Sequence, residues 1–101
     1  MNILMTPAFA EKIEELLGEG DWAVMEEIVA RPEAGKHIKG GKGLRKIRVA
    51  LPGRGKRGGA RVIYFWRVEE VLLFLDVYAK NEKEDLDADE LAGLVRQIEG
   101  V

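Results

Sequence analysis

The stretch that decides the fold is residues 44–66, "LRKIRVALPGRGKRGGARVIYFW". Two apolar runs flank a segment built only of Gly, Pro, Arg and Lys. In "LRKIRVAL" the period is two: Ile47, Val49 and Leu51 share one face, and Lys46 and Arg48 share the other. That alternation marks a strand with one side against a core. The second run, "RVIYFWR", starts near Ala60, and its aromatic and β-branched content favours strand. The link between them, "PGRGKRGG" at residues 52–59, has the glycines and proline of a hairpin loop.

Downstream, "VLLFLDVYAK" at residues 71–80 is almost wholly apolar and predicts a central strand covered on both faces. Strict alternation would place Val71, Leu73, Leu75 and Val77 together, with Leu72, Phe74, Asp76, Tyr78 and Lys80 opposite. Glu69-Glu70 marks the turn before it. Asp76 inside such a run needs a partner, and an ion pair with a nearby arginine is expected. Beyond "NEKED", Asp87 can cap a last helix whose apolar stripe is Leu91, Leu94, Val95 and Ile98.

Upstream, "GKHIKGGKG" at residues 35–43 reads as a connector, and its His37 as an ordinary loop residue. Two helices precede it. Thr6 caps the first, Pro7 sits at its first position, and Phe9, Ile13, Leu16 and Leu17 recur at helical spacing. Gly18 and Gly20 end it. Asp21 caps the second, which sets Trp22, Met25, Ile28 and Val29 on one face and stops before Pro32. Ile3 to Met5 is a short apolar run suited to an edge strand. The predicted order is β-α-α-β-β-β-α, an antiparallel meander with helices packed on it, hence an α+β fold. The 101 residues are expected to form one domain, residues 1–101, of a size that buries roughly 65% of the surface its unfolded form exposes.

Charge is segregated along this chain. Residues 1–35 hold eight acids against Lys12 and Arg31, a balance of −6, and residues 68–101 hold ten against Lys80, Lys83 and Arg96, a balance of −7. Residues 36–67 hold eleven Lys and Arg and no acid. The net charge of −2 hides this contrast, and its distribution is what a polyanion would sense. Crowding like charges costs stability unless an anion binds them, and nucleic-acid phosphate is the natural candidate. The loop does not match a nucleotide-binding Walker loop, because no Ser or Thr follows the lysine.

Other classes drop out. There is no cysteine, so disulfide and thiol chemistry are excluded, and a single histidine gives no basis for a metal centre. No cofactor and no metal are expected. No apolar run reaches the ~18 residues of a membrane span, and the first residues lack a basic leader with an apolar core. A cytoplasmic protein with no membrane partner is expected.

The stretch "GLRKIRVALPGRGKRGGARVIYFW", followed by "YAKNEKEDLDADE", resembles the RelE/HigB-like toxins of bacterial type II toxin–antitoxin pairs, and the HigB-like branch of the RelE/ParE superfamily in particular. The two N-terminal helices and "RPEAG" fit the same pattern. The resemblance implies a RelE-like fold: a twisted antiparallel sheet with two N-terminal helices and one C-terminal helix. It implies an mRNA interferase that enters the ribosomal A site and cuts mRNA, inhibiting translation. It also implies a cognate antitoxin, in this branch often one with a helix-turn-helix DNA-binding domain.

Metal-independent RNA cleavage by 2′-OH attack needs a base for that hydroxyl, cations for the phosphorane charge and an acid for the 5′-oxygen. With one histidine, cations must supply these roles. Carried over by resemblance, the catalytic set is Lys46, Arg48, Arg61 and Lys80. Arg48 and Arg61 would stabilise phosphate, and Lys46 or Lys80 would transfer protons. Arg54, Lys56, Arg57, Lys83 and Tyr78 would bind RNA. The chain departs from the RelE type member in carrying Asn81 where that protein has Arg, and Leu86-Asp87 near the place of a C-terminal Tyr. Phe65 and Trp66 are read as core, while Tyr64 and Tyr78 sit beside cationic positions. Two other readings use the same fold: a non-catalytic ParE-like toxin that binds DNA gyrase, and a phage or host RNA-binding module. A nuclease needs its cations converging on one phosphate, whereas a binder needs only a patch.

Overall fold

The computed structural model describes residues 1–51 and 55–101, with the side chains of residues 19, 21 and 55–58 left out of that description. The chain opens with strand β1 (Asn2–Met5) and helix α1 (Pro7–Leu17). Thr6 caps α1 as its sequence predicts, its hydroxyl accepting from the Phe9 amide at 3.1 Å. Gly18 ends it at φ 54°, a left-handed value that a side chain would resist. After one 3₁₀ turn (Gly18–Gly20) comes α2 (Asp21–Ala30). Asp21, expected as the cap, is instead the first helical residue, with Gly20 before it.

A second 3₁₀ turn (Pro32–Ala34) leads into β2 (Lys36–His37), then β3 (Leu44–Leu51), β4 (Gly55–Arg67), β5 (Val71–Ala79) and α3 (Ala88–Ile98). The five strands form one sheet in the order β1-β5-β4-β3-β2. β3, β4 and β5 form the expected antiparallel meander. β1 is the edge strand the sequence suggested, but it joins β5 in parallel, so the sheet is mixed. The architecture is α+β.

Three further details of the strands differ from the sequence reading. The "connector" contributes β2, whose Lys36 and His37 pair with Lys46 and Arg45. β4 begins at Gly55 rather than near Ala60. Glycine has no side chain for a periodicity argument to read, yet its amide and carbonyl extend a ladder as well as any residue's. The third difference lies in β5. Ile63 pairs with Asp76, and its neighbour Tyr64 pairs with Phe74, so Leu75 is an extra residue, a β-bulge.

The bulge resets the alternation. Leu72, Phe74, Val77 and Ala79 lie on one face, packed with Phe9, Ile13 and Leu17 of α1 and Met25 and Ile28 of α2. Val71, Leu73, Leu75 and Tyr78 lie on the other, against Leu94, Val95 and Ile98 of α3. Strict alternation had placed Val77 with Leu75 and Tyr78 with Phe74. Both exchange partners because two residues of β5 oppose one of β4. Trp22, expected in the core, is 66% exposed. It sits in the first turn of α2, and the buried side of that helix is taken by Met25 and Ile28.

Asp76 meets Lys12 of α1 at 2.8 Å, not the arginine expected. The same carboxylate oxygen accepts from the Val77 amide at 2.9 Å, next to the bulge. Tyr64 is fully buried on the α1/α2 side, donating to the Pro32 carbonyl at 2.6 Å and accepting from the Gly35 amide at 2.9 Å. Burial raises its phenol pKa, and the Gly35 bond offsets part of the rise. A β-carbon on Gly35 would meet Tyr64 ring carbons at 2.8 Å, so this close approach requires glycine. α3 starts as predicted: Asp87 accepts from the Glu90 amide, and Glu90 accepts from the Asp87 amide, a complete capping box.

Candidate functional site

The face that α3 covers is not covered along its whole width. α3 packs on Leu44, Ile63, Val71, Leu73 and Leu75. The remaining part of that face holds the side chains that the period-two pattern sends the same way: Lys46 and Arg48 from β3, Arg61 from β4, and Lys80 after β5. There the surface sinks into a cleft of about 770 Å³, lined by Ala34, Lys36, Lys46, Ile47, Arg48, Arg61, Lys80, Glu84 and Asp85.

The floor is set by cross-strand register. Arg48 is directly paired with Arg61, and Arg61 with Tyr78. This puts one rung, Arg-Arg-Tyr, across three strands. Like charges directly opposite each other disfavour the sheet, so the rung is an expense that folding alone does not explain. Arg61 is 8% exposed and Tyr78 1%. Among the described residues, neither the Arg61 Nη1 nor the Tyr78 hydroxyl has a hydrogen-bond partner, although both atoms are buried. Buried donors without partners are rare and costly. Two of them on one rung beside an open cleft mark a place where an oxygen-rich anion would be held.

Charge surrounds this floor. Lys36, Lys46, Arg48 and Lys80 line the cleft with Arg61, and two carboxylates, Glu84 and Asp85, join them from the segment after β5. Lys46 meets Asp85 at 3.2 Å. Partial burial pushes the Asp85 carboxyl up, but the Leu86 amide, the Lys46 ammonium and Arg61 outweigh it and hold it below the usual carboxylate range. The Tyr78 phenol goes the other way. Burial first, then the Asp85 carboxylate, push it up to about 12 against the opposing pull of Arg61. Tyr78 is therefore a neutral donor at physiological pH.

All four residues assigned to catalysis thus line one cleft, and Tyr78 lies beneath it. Lys83 is placed differently. It ion-pairs with Glu90 of α3 and stacks over the Tyr78 ring at 5.0 Å, outside the cleft lining. The side chains of Arg54, Lys56 and Arg57 lie outside the described residues. The sequence reading missed Lys36, which its position in the all-basic segment hints at, and Asp85, which nothing in "NEKED" singles out. Phe65 and Trp66 are partly buried, each beside an arginine: Arg67 over Phe65 and Arg45 over Trp66, both at 5.5 Å.

A family model described as the RelE toxin of the RelE/RelB toxin–antitoxin system matches residues 9–99. The chain belongs to the RelE toxin family. Its RelE-type match spans all three helices except the first turn of α1, and β2 through β5, so every residue lining the cleft falls inside it. As a RelE-family toxin, the chain has an antitoxin as its expected counterpart. No helix among the described residues is long and apolar enough to cross a membrane.

Proposed function

We propose that this RelE-family toxin is a ribosome-dependent, metal-independent endoribonuclease of the HigB-like branch, which cuts mRNA in the A site and so inhibits translation. The observation that carries the reading is the Arg48-Arg61-Tyr78 rung, with two buried donors unpartnered and Lys46 and Lys80 beside it. Cations spread over a surface would suit any polyanion. Arg48, Arg61, Lys46 and Lys80 converge on one concavity, as a single scissile phosphate would require.

In this mechanism the phosphodiester lies over the rung. Arg61 and Arg48 donate to its non-bridging oxygens, and both stay charged at any physiological pH. Their hydrogen bonds strengthen as the attacking 2′-oxygen adds negative charge to the phosphorus. Tyr78 donates from below as a neutral phenol, which makes it an oxyanion donor rather than a base. Lys46 and Lys80 flank the phosphate as the proton-transfer pair, one relieving the 2′-OH of its proton and the other returning one to the 5′-oxygen. The acid-rich helices form the scaffold and repel RNA, which turns the basic face toward it. The antitoxin would present acidic or apolar surface to that face, carried on a protein with a helix-turn-helix DNA-binding domain.

The test is translation-coupled mRNA cleavage with purified ribosomes, comparing wild type and Arg61→Ala. Defined A-site cuts by the wild type, lost in the variant while ribosome binding persists, are the expected result. Well-folded wild type that makes no cuts would overturn the reading, and gyrase inhibition would then be measured.

A further inference from the structure

The cleft carries anions of its own. Asp85 comes from the segment between β5 and α3, 39 residues from Lys46 in sequence, and closes a 3.2 Å ion pair with it across the cleft. The carboxylate is held in place. Its other oxygen accepts from the Leu86 amide at 2.9 Å. The segment is tied to the first turn of α3 by Lys83–Glu90 and by the Asp87 capping box. Glu84 lines the cleft beside it.

Folding does not account for this pair. Its side chains are 32% and 57% exposed, and ion pairs this open contribute little to stability. Its position does suggest a role. Lys46, Arg48, Arg61 and Lys80 would all donate to a bound phosphate, and Lys46 is the one of them that already donates to a carboxylate among the described residues. A carboxylate and a phosphodiester compete for the same ammonium, because each offers anionic oxygens to it.

We propose that Asp85 is a built-in competitor for the RNA phosphate: it occupies Lys46 in the free toxin and must be displaced before RNA seats on the rung. This rests on the reading of the cleft as a phosphodiester site. Free RNA must then bind against a resident anion, so its apparent affinity falls by the fraction of molecules in which Asp85 has let go. RNA presented at high local concentration by a larger assembly overcomes the same barrier easily. The pair would thereby disfavour loose transcripts and favour RNA that is already held.

The test measures binding without cleavage. A short 2′-O-methyl RNA lacks the nucleophile and reports affinity alone by fluorescence anisotropy. Asp85→Asn keeps the acceptor for the Leu86 amide and removes the charge, and should bind ~5–10-fold tighter than wild type. Glu14→Gln makes the same change in net charge on exposed α1, across the sheet, and should bind within about twofold of wild type. In a Lys46→Ala background the gain from Asp85→Asn should vanish, since the competition is for that ammonium. Asp85→Asn binding no tighter than Glu14→Gln would overturn the proposal. So would unchanged RNA binding with cleavage of ribosome-held mRNA abolished, which would place Asp85 in the chemistry. A Lys46→Ala/Arg48→Ala/Lys80→Ala variant separates the two levels: if it binds this RNA as well as wild type does, the phosphodiester reading of the cleft fails, and the competitor role with it.

Discussion

Arg61 and Tyr78 face each other across β4 and β5, and the buried polar ends of both lack a hydrogen-bond partner among the described residues. Neighbours that could have bonded to one another instead leave their donors free beside a cleft. Stability alone would favour apolar side chains at both positions.

The first consequence concerns rate. Arg61→Ala should lower single-turnover mRNA cleavage on ribosomes by ~10²–10³-fold, the usual cost of removing one electrostatic group from a transition state. Arg61→Lys keeps the charge but loses the planar fork, so it should recover only part of that loss.

Tyr78→Phe should separate activity from stability. The hydroxyl is buried without a partner, so its removal is expected to leave the melting temperature unchanged or slightly higher. Cleavage should fall about tenfold through the lost donor. Because the phenol is raised to about 12, it does not ionise between pH 6 and pH 10, and the two proteins should share the shape of their pH–rate profiles there. The sign for stability follows the same shift. A phenol held neutral in the fold contributes fully below its unfolded value near 10, and that contribution is lost as pH rises towards 12. Urea melts at high pH should show this decline in the wild type and less of it in Tyr78→Phe.

Asp76→Ala should destabilise the fold by about 2–3 kcal/mol, because it removes the acceptor of both Lys12 and the buried Val77 amide. Lys12→Ala should cost about 1 kcal/mol, since the Val77 bond remains and Lys12 is half exposed. Chemical denaturation of the two variants gives the comparison.

Gly35→Ala should cost about 1–3 kcal/mol, because its methyl must displace the Tyr64 ring from a packed site. At ~4–8 °C per kcal/mol for a chain of this size, the fall in melting temperature is easily measured.

Glu69 holds φ 63° in the turn closed by the Glu70 amide on the Arg67 carbonyl at 3.0 Å. Left-handed backbone at that position favours glycine. Glu69→Gly should therefore raise stability by about 0.5–1 kcal/mol, read as a gain of a few degrees in melting temperature.

Much of this molecule was legible in its sequence, for reasons that differ by element. Thr6-Pro7 and Asp87 announce their helices because capping is local chemistry, decided within four residues. The placing of Lys46 and Arg48 opposite Val49 follows from the period of a strand, which needs no partner to be read. β2 was hidden because two residues carry no period, and their pairing depends on a turn through Gly40 and Gly43. The parallel sense of β1 depends on where α1 returns the chain, a tertiary fact. Trp22 misled because helical spacing says which residues share a side, not how far the core extends along it. Within the cleft, the cations were visible as a charge block, whereas Asp85 reaches Lys46 only because the segment after β5 folds back.

The extra residue in β5 has a consequence for what the gene can tolerate. Beyond Leu75 the strand reads in the opposite phase, and that phase alone sends Tyr78 and Lys80 to the cleft and Val77 and Ala79 to the helices. Point substitutions at Leu75 would alter packing and leave this parity intact. Deleting the residue would remove the bulge but keep Tyr64 opposite Phe74 and Ile63 opposite Asp76, so Tyr78 and Lys80 would still face the cleft and Val77 and Ala79 the helices. β5 should therefore tolerate the loss of this one residue at the cost of the contact Leu75 makes with the α3 core, whereas a residue added beyond it would turn Tyr78 and Lys80 away from the cleft.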